Sequence, residues 1–146
     1  MKSLATTLFA TVLAVGAGHV LASPGDVVEL YKNPSCGCCG EWAKHMEKNG
    51  FKIRVHEVAD AGVVREQSGI PATLGSCHTA KVGGYAIEGH VPAADVKRLL
   101  KERPKAVGLS APGMPQSAPG MDSATNQPYD VLLVKPGGKT EIFAKH

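Results

Sequence analysis

Residues 26–40 read Asp-Val-Val-Glu-Leu-Tyr-Lys-Asn-Pro-Ser-Cys-Gly-Cys-Cys-Gly, so an apolar segment runs through a turn into three closely spaced cysteines. The segment 26–32 predicts a strand that ends at the turn formers Asn33-Pro34. Trp42, Ala43 and Met46 then fall on one face at helical spacing, which predicts a helix over 38–49. The cysteines therefore lie at the start of a helix, where free backbone N–H groups and the helix dipole stabilise a thiolate.

The elements that follow indicate an α/β fold. Alternation predicts strands over 51–58 and 82–88, and helical spacing predicts helices over 61–68 and 93–102. Between them, Ile70-Pro71-Ala72-Thr73 predicts a short extended segment. The order strand, helix, strand, helix, X-Pro, strand, helix resembles a thioredoxin-like fold. In that fold a cis proline lies against the active cysteines, and Pro71 is the matching candidate here.

The C-terminal third differs in composition from the rest of the chain. Residues 106–128 are rich in Gly, Pro, Ser and Ala and contain a near-repeat in which Met114 and Met121 each follow Ala-Pro-Gly. Strands over 129–134 and 140–144 flank Lys-Pro-Gly-Gly and predict a hairpin. The expected architecture is thus a thioredoxin-like domain with a Gly/Pro/Met-rich loop and a C-terminal β-hairpin.

The N-terminus has the features of a secretory signal peptide. Lys2 supplies a positive charge, residues 4–15 are uncharged and apolar, and Val20-Leu21-Ala22 offers a small-residue cleavage pattern before Ser23. We expect a signal peptide over 1–22 and one domain over 23–146, exported and free of the membrane after cleavage. The formal net charge of +3 is small and the basic residues are scattered, so we expect no nucleic-acid partner.

The cysteines support two kinds of chemistry. Cys36 and Cys39 form the Cys-x-x-Cys spacing of a thiol-disulfide oxidoreductase, with Cys36 as nucleophile and Cys39 as resolving thiol. Cys38 gives such an enzyme no advantage, whereas a third sulfur, joined by Cys77, helps to bind soft metal ions. The residues alone leave both hypotheses open.

Further ligands are expected near the sulfurs. His78 adjoins Cys77, but neighbouring residues in a strand point to opposite faces. His90 precedes Val91-Pro92, where a capping or loop role is expected. Met114 and Met121 carry thioether sulfurs, which bind copper(I) well and zinc poorly. Zinc is the second choice of metal, because a lone Cys-His dipeptide is a poor partner for the cysteine cluster in a tetrahedral zinc site.

Four motifs, taken together, resemble the CopG-type family of small exported thioredoxin-like proteins linked to bacterial copper resistance. The motifs are Tyr31-Lys32-Asn33-Pro34-Ser35-Cys36-Gly37-Cys38-Cys39, Ser76-Cys77-His78-Thr79, Gly89-His90-Val91-Pro92, and Pro112-Gly113-Met114-Pro115 with Pro119-Gly120-Met121. The resemblance implies a multinuclear copper(I) cluster on Cys36, Cys38, Cys39 and Cys77, a methionine loop containing Met114 and Met121, and a periplasmic setting. Asn-Pro-x-Cys also partly resembles the thioredoxin-like arsenate reductases, but no arginine adjoins it to hold an oxyanion.

We therefore expect an exported protein that binds more than one copper(I) ion at Cys36, Cys38, Cys39 and Cys77, with His78, Met114 and Met121 as further candidate ligands. It would take part in copper resistance or copper handling, with other periplasmic copper-handling proteins as candidate partners. The alternative is a thioredoxin-like thiol-disulfide oxidoreductase that uses Cys36 and Cys39.

Overall fold

The computed structural model describes residues 27–121, 123 and 125–146. The predicted signal peptide, 1–22, lies outside the described residues. Among the helices of the described residues, none combines the length and the apolar character needed to cross a membrane.

Within the described residues, seven strands form one sheet and three α-helices pack with it. The strands are β1 (Val27–Lys32), β2 (Lys52–Glu57), β3 (His78–Val82), β4 (Tyr85–Glu88), β5 (Gly108–Ser110), β6 (Asp130–Val134) and β7 (Thr140–Lys145). The helices are α1 (Gly37–Lys48), α2 (Ala61–Gln67) and α3 (Ala93–Glu102).

The sheet order is β2-β1-β3-β4-β5-β6-β7. β1 pairs with β2 in parallel across α1, and β4 pairs with β5 in parallel across α3. The other neighbouring strands are antiparallel, including the predicted C-terminal hairpin of β6 and β7. The predicted α/β class, the helix after the cysteines and the C-terminal hairpin are confirmed. The thioredoxin-like assignment stays an interpretation of this order of elements.

Helix α1 attaches the cysteine motif to the core. Trp42 and Met46 are fully buried on its inner face and pack with Val28 and Leu30 of β1, as the helical spacing predicts. The Trp42 Nε1–H donates to the carbonyl oxygen of Val91 at 2.8 Å, which ties α1 to the segment before α3. Because this indole is buried and its one donor is satisfied, the start of α1 has a fixed place on the sheet.

A side chain of α1 also caps α3. Pro92, which precedes α3, has no side-chain cap, and the backbone N–H of Ala93 donates instead to Nε2 of His45 at 3.1 Å. Burial, with a smaller contribution from the Lys48 charge, lowers the pKa of His45. The imidazole must be neutral at Nε2 to accept this hydrogen bond.

The strand predicted over 82–88 is confirmed in its second half, which is β4, but it begins too early, because the structure has a hairpin there whose first strand, β3, was not predicted. β3 begins at His78, and a turn with positive φ at Gly83 and Gly84 separates it from β4. Sequence alternation failed because His78 and Thr79 are polar yet buried within the sheet. Strand β5 was missed too, since it lies in the Gly- and Pro-rich segment.

The prediction for Pro71 was also wrong. Residues Ala72–Leu74 form a 3-10 turn rather than an extended segment, and Pro71 precedes that turn. The described residues contain no cis peptide bond. The segment that reaches the cysteines is 75–77, which leads directly into β3.

Candidate metal centre

Two segments bring the four cysteines together. Cys36 is the residue preceding α1, Cys38 and Cys39 lie in its first turn, and Cys77 directly precedes β3. β1 and β3 are neighbouring antiparallel strands, so the end of β1 and the start of β3 meet at one edge of the sheet. The four Sγ atoms consequently lie within 4.8 Å of one another.

The turn before α1 is fixed by Asn33. Its side-chain oxygen accepts from the backbone N–H of Ser35 at 3.0 Å, and its amide group donates to the carbonyl oxygen of Ala59 at 3.2 Å. Its own carbonyl oxygen accepts from the backbone N–H of Cys36 at 3.0 Å. This pattern is typical of an Asx turn and determines where Cys36 leaves the strand.

The sulfurs are close enough to share either a bond or a metal. Cys36 and Cys39 are joined by a disulfide, whereas Cys38 and Cys77 are free thiols. Cys38 Sγ lies 3.6 Å from Cys36 Sγ and 3.9 Å from Cys77 Sγ, and Cys39 Sγ lies 3.5 Å from Cys77 Sγ. Thiols that converge on one metal are also placed to oxidise, so this geometry is compatible with both chemical hypotheses.

Two imidazoles lie on the other side of Cys77. Its Sγ is 3.1 Å from Nε2 of His90 and 3.5 Å from Nδ1 of His78, and the three side chains form a second group with metal-ligand spacing. The side chains of Cys77 and His78 therefore lie next to each other, although the alternation of a strand predicted that they point to opposite faces. The expectation of a capping or loop role for His90 is also incomplete, since its buried ring faces the sulfur.

The β3–β4 hairpin explains the position of His90. Thr79 pairs with Glu88, and the backbone N–H of Gly89 donates to the carbonyl oxygen of His78 at 2.9 Å. Two residues beyond the Thr79–Glu88 pair, the same register sets Cys77 opposite His90. Sequence analysis missed this ligand candidate because it predicted one strand over 82–88 instead of a hairpin.

Burial disfavours the charged form of both imidazoles. His78 and His90 are fully buried. Burial, together with the neighbouring His90, lowers the pKa of His78 to about 3, and burial also lowers the pKa of His90. Neutral imidazole offers a lone pair to a metal, whereas imidazolium does not.

The surroundings of Cys77 disfavour its thiolate form. Burial first, and the nearby Cys38 second, raise the pKa of Cys77 to about 12. Its thiol is therefore protonated in the metal-free protein. Because only a thiolate binds copper or zinc, metal binding at Cys77 must release a proton.

A buried carboxylate fixes the segment that carries Cys77. Glu88 accepts from the backbone N–H of Ser76 and from the Thr79 hydroxyl, each at 2.7 Å, and Arg65 Nη1 lies 3.9 Å from it. Burial raises the pKa of Glu88. These bonds hold the residues on both sides of the Cys77–His78 pair.

The Gly/Pro/Met-rich loop lies over the same site. The Gly113 N–H donates to the Gly75 carbonyl oxygen at 2.9 Å, and its own carbonyl oxygen accepts from the Ser76 hydroxyl. Further along, the Pro119 carbonyl oxygen is 2.8 Å from Nδ1 of His90. A Cβ at Gly120 would lie 2.6 Å from the Trp42 nitrogen and 2.9 Å from the Cys38 oxygen, so the loop backbone touches the first turns of α1.

The two methionines follow the glycines that make these contacts. Met114 is 47% exposed, and Met121 is partly buried. The structure thus places both methionines in the loop that covers the cysteines, next to Gly113 and Gly120.

Comparison with known proteins found related structures. Residues 74–121 match a family of proteins of unknown function, DUF411. A comparison with curated proteins found no match. Two solved structures match, copper resistance protein CopG in form 1 and in form 2, each with 40% sequence identity and a TM-score of 0.77. They cover 82% of this chain and 96% and 97% of their own chains.

This degree of identity, over nearly the whole length of the related structures, confirms the resemblance inferred from the four sequence motifs. The chain belongs to the family of the copper resistance protein CopG.

Proposed function

We propose that this chain is an exported protein that takes part in copper resistance by holding a thiolate-bridged copper(I) cluster on Cys36, Cys38, Cys39 and Cys77. The observation that carries the proposal is the convergence of four Sγ atoms within 4.8 Å of one another at the start of α1. Membership in the family of a copper resistance protein supports the choice of copper.

The donor set favours copper(I) over hard cations. Thiolates are soft ligands that select copper(I), zinc and iron–sulfur clusters, whereas magnesium and calcium prefer oxygen ligands. His78 and His90 add nitrogen donors, and Met114 and Met121 of the covering loop add sulfur donors. The predicted preference for copper over zinc rests on those methionines and on the poor tetrahedral zinc pattern of a lone Cys-His dipeptide.

The charge of the site favours more than one ion. Four thiolates around one copper(I) would leave a net charge of −3 in a half-buried site, and such a charge is costly to desolvate. Several copper(I) ions that share bridging sulfurs would neutralise it. Before loading, the Cys36–Cys39 disulfide must be reduced so that both sulfurs become thiolates.

The direct test is a titration of the reduced mature protein with copper(I) under nitrogen, in competition with a chromophoric copper(I) chelator. We expect more than one copper per chain and a lower stoichiometry in Cys38→Ser and Cys77→Ser. Retention of the full copper stoichiometry by both variants would contradict the proposal.

The second candidate function is the thiol-disulfide oxidoreductase, which the Cys36–Cys39 disulfide favours. That hypothesis predicts that Cys38→Ser and Cys77→Ser keep most of their activity on a disulfide substrate while Cys36→Ser abolishes it. The same set of variants therefore separates the two functions.

The loop methionines provide a further test. Since Met114 and Met121 lie in the loop that covers the cysteines, we expect the double variant Met114→Leu, Met121→Leu to release copper(I) to a chelator faster than the wild type. Leucine has nearly the same volume as methionine but no sulfur, so packing is preserved. An unchanged affinity and release rate would show that the methionines are not ligands or a cover.

A further inference from the structure

We propose that Cys77, His78 and His90 form a second site, for a single soft metal ion, and that this site persists when Cys36 and Cys39 are joined in a disulfide. The proposal builds on the copper-binding function proposed above and assigns to His90 a ligand role that the cysteine motif does not require. It divides the centre into a cluster of sulfurs and a mixed sulfur–nitrogen position that share Cys77.

The geometry of the three donors is already close to that of a metal site. Their ligand atoms lie within 4.8 Å of one another, with the Cys77 sulfur 3.1 Å from Nε2 of His90 and 3.5 Å from Nδ1 of His78. Copper(I) accepts two or three ligands, and thiolate and imidazole are both among the donors it prefers.

Hydrogen bonding fixes which nitrogen of His90 faces the sulfur. A carbonyl oxygen only accepts, so the 2.8 Å contact with Pro119 requires that Nδ1 of His90 carries the proton. Nε2 then presents its lone pair toward Cys77. A second-sphere carbonyl that orients an imidazole in this way is a usual feature of histidine metal ligands.

One nitrogen of the His78 ring faces the Cys77 sulfur. The side chain is fully buried, and its Nδ1 atom lies 3.5 Å from that sulfur. The Gly89 backbone is a further polar neighbour of the ring, but among the described residues Nε2 has no close hydrogen-bond partner. Buried polar atoms are almost always paired, so this poorly partnered ring is placed to bind a metal ion through Nδ1.

The disulfide form offers one competing pair, the free thiols of Cys38 and Cys77, whose sulfurs are 3.9 Å apart. A monovalent ion between two thiolates would have a net charge of −1. With one thiolate and two neutral imidazoles the charge is zero, because the Cys77 proton leaves to solvent when the ion binds. The neutral complex suits a site with two fully buried ligands.

The experiment uses silver(I), which imitates copper(I) but does not reduce disulfides, on mature protein whose Cys36–Cys39 bond is confirmed by thiol labelling. Native mass spectrometry counts bound silver, and competition with a soluble thiol gives the affinity. We expect one silver per chain in the wild type and in Cys38→Ser.

The matched variant is His90→Asn, whose side-chain amide keeps a donor for the Pro119 carbonyl but removes Nε2. Loss of an outer-sphere partner of a metal ligand typically lowers affinity by roughly 10- to 100-fold. Because His90→Asn removes a ligand itself, we expect its silver affinity to fall by at least that factor. If His90→Asn binds silver as tightly as the wild type while Cys38→Ser loses silver, the ion lies between the two thiols and the proposal is overturned. An oxidised wild type that binds no silver would also overturn it.

A measurement on the wild-type protein tests the proposal even if a variant fails to fold. On silver binding, the ¹⁵N chemical shifts of Nε2 in His90 and Nδ1 in His78 should move in the wild-type protein, and unchanged shifts would overturn the proposal. Copper(I) loading of the reduced wild type and of reduced Cys38→Ser, measured in parallel, tests the sulfur cluster, because Cys38 belongs to the cluster and not to this site.

Discussion

Cys77 is the residue at which the two groups of metal-binding side chains meet. It lies 3.5 Å from the Cys39 sulfur and 3.1 Å from the His90 nitrogen. The sequence indicated the cysteines because their crowding cannot be explained by a disulfide scaffold alone. It could not indicate His90, since only the strand register brings residues 77 and 90 together.

His45 provides a residue-scale prediction about pH. Its pKa is lowered, so the folded state binds a proton less readily than the unfolded state. The stabilisation from this residue is therefore fully present above its unfolded pKa and is lost as the pH falls below that value. We expect His45→Gln, which keeps an acceptor for the Ala93 N–H but does not titrate, to lose less stability than the wild type between pH 7.5 and pH 5.

Urea unfolding at several pH values measures this difference. At pH 7.5 the two proteins should be similarly stable, while at pH 5 the wild type should lose up to the ~1 kcal/mol typical of a helix cap. Other buried histidines contribute equally to both proteins and cancel in the comparison. Identical pH profiles would show that His45 does not cap α3.

At the scale of elements, most predictions from local signals are confirmed, whereas pairings between distant segments were not predicted. The Lys-Pro-Gly-Gly turn between β6 and β7 is a local signal, and the hairpin it predicts is present. The β3–β4 hairpin was missed because its first strand starts with two buried polar residues, His78 and Thr79. His78 lies against the Cys77 sulfur, and Thr79 donates a hydrogen bond to Glu88. A functional site thus disturbs the very pattern from which strands are predicted.

Two glycines of the covering loop test how it is attached. Gly113 and Gly120 both have positive φ, 70° and 88°, but a Cβ would meet nothing within 4 Å at Gly113 and would collide with α1 backbone at Gly120. Gly113→Ala should cost about 1 kcal/mol of unfolding free energy for the left-handed conformation alone. Gly120→Ala should cost about 1–3 kcal/mol more, through overpacking.

Chemical denaturation of the two variants gives this comparison, with Gly113→Ala as the matched control. If the loop rests on α1, Gly120→Ala should also make the Cys38 thiol react faster with a labelling reagent, whereas Gly113→Ala should not. Equal stability losses in both variants would mean that the loop is not packed against the helix.

At the scale of the whole molecule, the sequence indicated the α/β class but not the sheet. The strands that were predicted came from local patterns, whereas the order β2-β1-β3-β4-β5-β6-β7 depends on pairings between distant segments. The short strand β5 shows the difficulty, because at Gly108 the backbone approaches Ala86 so closely that a Cβ would lie 1.7 Å from its carbonyl oxygen. Glycine is needed there for the pairing with β4, although a glycine in isolation indicates a loop.

The proposed export is a prediction about the whole chain. We expect the protein to accumulate in the periplasmic fraction with Ser23 as its first residue, because Val20-Leu21-Ala22 matches a cleavage pattern. Intact-mass analysis of that fraction measures it. Ala22→Tyr, which places a large residue before the cleavage point, should accumulate uncleaved, and a full-length wild-type chain in the cytoplasm would contradict the prediction.

The central claim, that four cysteines hold a copper(I) cluster, is tested most directly by copper content and free-thiol count on one sample. The mature protein would be purified anaerobically from cells grown with added copper. We predict more than one copper per chain, with thiols that become reactive only after a copper(I) chelator is added. A copper-free protein with Cys36 and Cys39 in a reducible disulfide would contradict the claim and favour the oxidoreductase.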